Sequence, residues 1–346
     1  MGVAAGDRPK EARAPLAAVL WWLQLAFVRT GVLPMLLVVA VIAFSISSKH
    51  FLSADNLSNV ARQSTFLIMV SMGQMLALLT GGFDLSVGTI IAFTSVSGAL
   101  AMAKMYVAYP HAIVLVIAVG MLVGLLGGLL IGVINGIGVA VFSVSPFMMT
   151  LGMSSVGFGV ALSMTGGVPV YGVPDAYGNV FGFGRWLGVP APVYVTIALI
   201  VAMYFVLNWT RMGRYFYAIG GNRRAADLSG IGTRTYLFMA YVVCGGLATV
   251  TGLMLTARLG TGEANIGASM PLESIAACVI GGVSLRGGTG RLGNVVLGAI
   301  FIGIIQNGMD LAQIESYLQL VVIGVLLIFA YIADNARQRV LARLRD

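Results

Sequence analysis

The sequence predicts an all-α polytopic membrane protein of about ten transmembrane helices, some of them interrupted by glycine, with both termini cytoplasmic. Three observations lead there. Hydrophobic residues make up 59% of the chain and charged residues 9%, against roughly 25% charged in soluble domains, and the mean hydropathy is +0.96. The apolar residues fall into runs long enough to cross a bilayer, which takes about 20 residues each. Between two such runs lies one polar island, Thr210 to Thr235, carrying Arg211, Arg214, Arg223, Arg224 and Arg234 against a single acid, Asp227.

The elements follow in chain order. Pro15 to Val28 is apolar but holds Trp21 and Trp22 and runs into Arg29 without a small-residue cleavage site. It reads as an interfacial helix rather than a removed signal peptide. Residues 1–32 then form a cytoplasmic or interfacial segment, 33–334 a transmembrane domain and 335–346 a basic cytoplasmic tail. Within the domain, apolar runs predict helices near 33–47, 64–80, 85–103, 112–134, 146–165, 191–209, 236–257, 274–285, 292–310 and 316–333.

Alternation across ten spans decides the orientation. It places Arg8, Lys10, Arg13, Arg29, the five island arginines, Arg286, Arg291, Arg337, Arg339, Arg343 and Arg345 inside, and leaves Lys49, Arg62, Lys104, Arg185 and Arg258 outside. That is 15 of the 20 basic residues on the cytoplasmic side, as positive-inside topology requires. The net charge of +8 is explained by charges flanking the spans, so the expected partner is the lipid bilayer and not nucleic acid.

The chain has 46 glycines, where average usage would give roughly 24. Gly120, Gly124, Gly127, Gly128, Gly132 and Gly136 recur at helical spacing and read either as a seam for close helix packing or as a permeation path. Residues 166–190 form the longest external connection, a shaped surface loop rich in Gly, Pro and aromatics. Cys244 and Cys278 sit in apolar runs without metal or redox spacing and read as packing residues.

Two glycine-rich segments share a pattern. One contains Gly81, Gly82, Asp84 and Ser86; the other contains Gly281, Gly282, Gly287 and Gly288. Glycine pairs break helices, and non-helical backbone at membrane depth is tolerated only where protein buries it or it lines a watery cavity. Paired interrupted segments of this kind point to transport sites. A carboxylate within a span costs about 2.5 to 3.5 kcal/mol, so Asp84 either caps the helix starting at Leu85 or serves the solute. Asn135 and Asn307 follow long apolar helices, where an amide bonds across helices or meets a hydroxylated solute. These residues are the candidates for the pathway and its gates.

Catalytic chemistry is not expected. His50 and His111 lie at span edges, no nucleophile set or HExxH helix occurs, and Gly287 to Arg291 lacks the GK[ST] ending of a phosphate-binding loop. Neither a metal nor a cofactor site is expected in this chain.

Within the island, Asn222 is a helix N-cap, Arg223 to Ser229 makes two turns and Gly230 supplies the left-handed end. Arg223 and Arg224 then occupy the positive end of the helix dipole, unfavourable by about 0.3 to 1 kcal/mol each. An acidic partner groove, anionic lipid or simple positive-inside anchoring would account for them.

The stretches LTGGFDLSVG (79–88), NG (135–136), SPFMMTLG (145–152), AIGGNRRAADLSGI (218–231) and IGGVSLRGGTGRLGN (280–294) resemble the ribose, xylose and galactose type permease subunits of bacterial ATP-binding cassette importers, which are related to branched-chain amino acid permeases. The resemblance covers about residues 50–334. It implies a second permease copy, identical or paralogous, cytoplasmic ATPase subunits that hold ATP and magnesium, a periplasmic solute-binding protein and a place in the bacterial inner membrane. It also implies a coupling helix on Gly220 to Ile231, including Gly221, Asn222, Arg223, Arg224, Asp227, Leu228, Ser229 and Gly230. Arg286 and Asn294 depart from the family pattern, where a small or apolar residue and a threonine are common.

The expected function is a gated monosaccharide or polyol conduit driven by a separate motor. The alternatives are an ion-coupled secondary transporter using Asp84 with Asp310 or Glu273, and a permease for branched-chain amino acids.

Overall fold

The computed structural model describes residues 33–343; the expected N-terminal interfacial helix and the last residues of the basic tail lie outside it. The helices in order are α1 (Leu33–Ser47), α2 (Ala54–Leu79), α3 (Val87–Ala108), α4 (Ile113–Ala140), α5 (Pro146–Thr165), α6 (Ala191–Trp209), α7 (Arg211–Gly221), α8 (Arg223–Leu228), α9 (Thr233–Leu259), α10 (Met270–Ile280), α11 (Leu292–Leu311) and α12 (Ser316–Arg343). Six of them, α3, α4, α5, α6, α9 and α11, are long and apolar enough to cross a membrane. The shorter apolar helices are α1, α10 and the part of α12 from Ser316 to Phe329.

Burial explains the layout. In α2 every residue from Ser64 to Leu79 is buried, as suits a helix without a polar face. Its first third is polar, with Ser53 accepting from the Asn56 N–H at 3.3 Å as N-cap and Asp55 in the first turn. The helix therefore begins well before the apolar run that 64–80 marked. α9 is the second central element, and α4 and α5 lie outside with most of their surface free.

The glycines of α4 form a packing seam. Gly120, Gly124, Gly128, Gly132 and Gly136 are buried, while Leu115, Leu122, Leu126 and Leu130 on the other faces are exposed. A Cβ on Gly132 would lie 3.1 Å from the Cα of Gly245 on α9, and one on Gly128 would collide with the hydroxyls of Thr94 and Thr249. Small residues let backbones approach where lipid offers no hydrophobic drive between helices. Gly128→Val is expected to destabilise the protein by about 1–3 kcal/mol through overpacking, read as a lower unfolding temperature in detergent. Gly152→Ala, at a position with nothing within 4 Å, should leave that temperature unchanged.

The 166–190 connection is anchored at several points. Its helical turn Asp175–Tyr177 runs into a π-helical turn, Gly178–Gly182, and the fully buried Tyr177 donates from its hydroxyl to the Leu253 carbonyl of α9 at 2.7 Å. A two-stranded ribbon, β1 (Arg185–Trp186) with β2 (Val189–Pro190), follows.

Candidate functional site

The polar island is built from two helices, and only the second was expected. α7 is amphipathic: Phe216 and Ile219 are buried, while Arg211, Arg214 and Gly221 face out. Thr210 caps it by accepting from the Gly213 N–H at 3.3 Å. Its signal is present in the sequence as Met212, Phe216 and Ile219 at helical spacing among the arginines. α8 follows the sequence reading closely. Asn222 Oδ1 accepts from the Ala225 N–H at 3.0 Å, and Gly230 has φ +79°. Only Ala226 of α8 is buried; Arg223, Arg224, Asp227 and Ser229 are exposed, and Leu228 is 84% exposed. Asp227 accepts from the Thr233 hydroxyl, pinning the exit of α8 to α9. Beside it opens a cleft of about 440 Å³ lined by Ser143, Arg223, Asp227, Gly232, Thr233, Arg234 and Thr235.

Tertiary structure brings both glycine-rich hairpins onto this island. The N–H of Gly288 donates to the Leu79 carbonyl at the end of α2 at 2.9 Å, and Tyr217 of α7 donates to the Gly290 carbonyl at 3.0 Å. Gly220 sits in the middle: a Cβ there would overlap the Leu79 carbonyl oxygen and the Gly288 nitrogen. A Cβ on Gly287 would lie 3.0 Å from the Gly220 Cα and 3.0 Å from the Gly81 nitrogen. Gly287 and Gly288 also have φ of +89° and +73°, which side chains rarely adopt. Three backbones thus meet where glycine alone fits. Leu79 and Tyr217 belong to this junction and escaped the sequence reading, because the bonds between them and Gly288 and Gly290 span more than 70 residues.

The other members of the hairpins are placed as follows. α10 stops at Ile280 and not at 285, because Gly281 and Gly282 turn the chain there, and Gly281 rests on the Asn294 backbone. Gly82 is tucked beneath the Tyr241 hydroxyl and the Pro146 ring. α3 starts at Val87 rather than Leu85, so Asp84 is not its N-cap. Instead, Asp84 Oδ1 accepts from both the N–H (2.8 Å) and the hydroxyl (2.6 Å) of Ser86, which is also buried.

The two asparagines lie within helices, not after them, and at opposite ends of the bundle. Asn135 is buried in α4 and donates to Ser86 Oγ at 2.7 Å. Asn307 is buried in α11 and forms a reciprocal amide pair with Asn56, both bonds 2.9 Å. Asn56 begins α2 and Leu79 ends it, 23 residues or about 35 Å apart. Asn307 is therefore a helix-to-helix bond remote from the island. Of the acids offered for ion coupling, Asp310 is exposed and accepts from Gln319 at 2.8 Å, and Glu273 is buried in α10.

The end of the bundle opposite the island carries its own cluster. Arg62 lies 5.9 Å from the Phe183 ring centroid, Arg258 lies 5.7 Å from that of Phe66, and Arg185 faces Arg62. Around them Phe183, Trp186 and Leu187 are exposed.

A family model described as "Branched-chain amino acid transport system / permease component" matches residues 56–331. The chain is 36% identical over 306 residues to the ribose import permease protein of Escherichia coli (strain K12), covering 87% of this chain and 92% of that protein. It is 38% identical over 302 residues to the ribose import permease protein of Bacillus subtilis (strain 168), covering 87% and 91%. Over 305 residues it is 33% identical to the D-allose transport system permease protein of Escherichia coli (strain K12), covering 88% and 91%. No solved structure matches the chain.

Proposed function

Because this chain belongs to the family of branched-chain amino acid transport system permease components, we propose that it forms the membrane conduit of an ATP-binding cassette importer for a monosaccharide. The sugar assignment is favoured over an amino acid because relatives named for ribose and for allose match nearly the full chain. The observation that carries the mechanism is the three-way junction of Gly81, Gly220 and Gly287.

In this reading the chain spans the bacterial inner membrane about ten times, both termini and the island lie in the cytoplasm, and ATP with magnesium is held by the partner ATPase. The exposed helix α8 seats in that ATPase. A displacement of α8 passes through Gly220 to both hairpins without slack, since backbone contacts cannot adjust by rotating side chains. Gly81, Gly82, Gly281, Gly282, Gly287 and Gly288 then move with the island as a gate, shifting α2 and α9 relative to a second permease copy. Solute selection rests with a periplasmic binding protein, which docks on the opposite end, where Arg62, Arg185 and Arg258 stand among exposed aromatic rings.

The test is reconstitution into proteoliposomes. Uptake of a pentose or hexose should require the ATPase, ATP and the binding protein together. Uptake by this chain alone on an imposed proton gradient overturns the ATP-driven reading. A thermal-shift screen in which the cognate binding protein responds to leucine and not to sugars overturns the substrate class.

A further inference from the structure

Asp84 is fully buried in the hairpin between α2 and α3, and it is clamped from several sides. Gln74 of α2, with its amide turned so that the nitrogen meets the Asp84 carbonyl, brackets the Asp84 backbone through C=O (3.1 Å) and N–H (3.2 Å). Thr150 of α5 accepts from the Leu85 N–H at 3.1 Å. Asn135 of α4 and the Asp84 carboxyl both bond to the Ser86 hydroxyl. Three atoms in this nest are buried without a partner: Asp84 Oδ2, Asn135 Oδ1 and Tyr241 Oη.

An ionised carboxylate does not suit such a place. The side chains facing it are Ser86, Asn135, Cys244 and Tyr241, none of them basic, and burying an unpaired charge costs several kcal/mol. That fault vanishes if the carboxyl carries a proton, because a neutral acid buries no charge and its O–H gives the orphaned Oδ2 a donor.

We propose that Asp84 is a buried neutral carboxylic acid that locks the Gly81–Ser86 hairpin to the surrounding helices. Asp84 is then a positioning residue that holds the hairpin's register against the island, and it neither binds solute nor carries a coupling ion. A sodium or potassium ion beside an ionised Asp84 is the competing arrangement.

Infrared spectroscopy of the full-length protein in liposomes at neutral pH, with aspartate labelled by carbon-13, tests the proposal directly. Asp55, Asp175, Asp227 and Asp310 are exposed, labelling separates Asp84 from the buried Glu273, and loss of the band on substitution separates it from Asp334 of α12. The expected result is an isotope-shifted carboxylic acid C=O band that disappears in Asp84→Asn. That variant should also keep an unfolding temperature near that of the unsubstituted protein, since an amide is neutral and accepts from Ser86 as the acid does, whereas Asp84→Ala should lower it markedly. If Asp84→Asn does not fold, the labelled band in the unsubstituted protein decides alone. Absence of that band overturns the proposal, as does an unfolding temperature that rises with sodium or potassium but not choline and loses that rise in Asp84→Asn.

Discussion

Gly220→Leu is expected to abolish ATP-driven uptake and to lower the unfolding temperature more than any other single change in the island. The first carbon of any side chain at this position would overlap the Leu79 carbonyl oxygen and the Gly288 nitrogen. Those atoms are themselves joined by the 2.9 Å hydrogen bond between Gly288 and Leu79. Overpacking against flexible side chains costs about 1–3 kcal/mol; here the obstacles are backbone, so relief requires separating α7 from the end of α2 and breaking that bond. The neighbouring Gly221 provides the control. Nothing lies within 4 Å of its potential Cβ, so Gly221→Ala should not change the unfolding temperature. Equal effects of the two substitutions would show that the junction is not the tight point.

Reversing Arg223 and Arg224 to glutamate is expected to release the ATPase while leaving the permease folded. Both arginines are exposed at the N-terminus of α8, where a positive charge is unfavourable by about 0.3 to 1 kcal/mol and a negative one is favourable by a similar amount. The double substitution therefore stabilises the isolated helix, and lost function cannot be assigned to its unfolding. If α8 seats in an acidic groove of the partner, as proposed, losing two attractions and adding two repulsions weakens association by at least about tenfold, the equivalent of 1.4 kcal/mol. The check is co-purification of the ATPase at moderate salt alongside membrane yield of the permease. ATPase recovered at the unsubstituted level would remove α8 from the interface.

These two predictions draw on information of different origin. The second was legible in the linear chain: Asn222 and Gly230 bracket α8 by local rules of capping and left-handed backbone, and the clustered arginines announce themselves by charge. α7 was missed because arginines at 211 and 214 masked the spacing of Phe216 and Ile219. The first prediction was hidden. A glycine is equally consistent with a turn, a packing seam or a permeation path. Its meaning depends on what lies against the missing Cβ, as the contrast between Gly220 and Gly221 demonstrates.

The asparagines make the same point. Asn135 and Asn307 look alike in sequence, each in a small-residue setting within an apolar run. Folding places Asn135 at the carboxyl nest under the hairpin and pairs Asn307 with Asn56 in the first turn of α2. No periodicity distinguishes them, because the choice is made by partners 49 and 251 residues distant.

By itself, then, the sequence determined the all-helical membrane class and the charged helix, since hydropathy, capping and charge act over a few neighbouring residues. Only the tertiary structure decided that the two glycine-rich hairpins close on the polar island at Gly220 and that Asp84 is sealed among orphaned oxygens. Both depend on backbones far apart in the chain approaching to contact distance, and such approach leaves no local pattern to read.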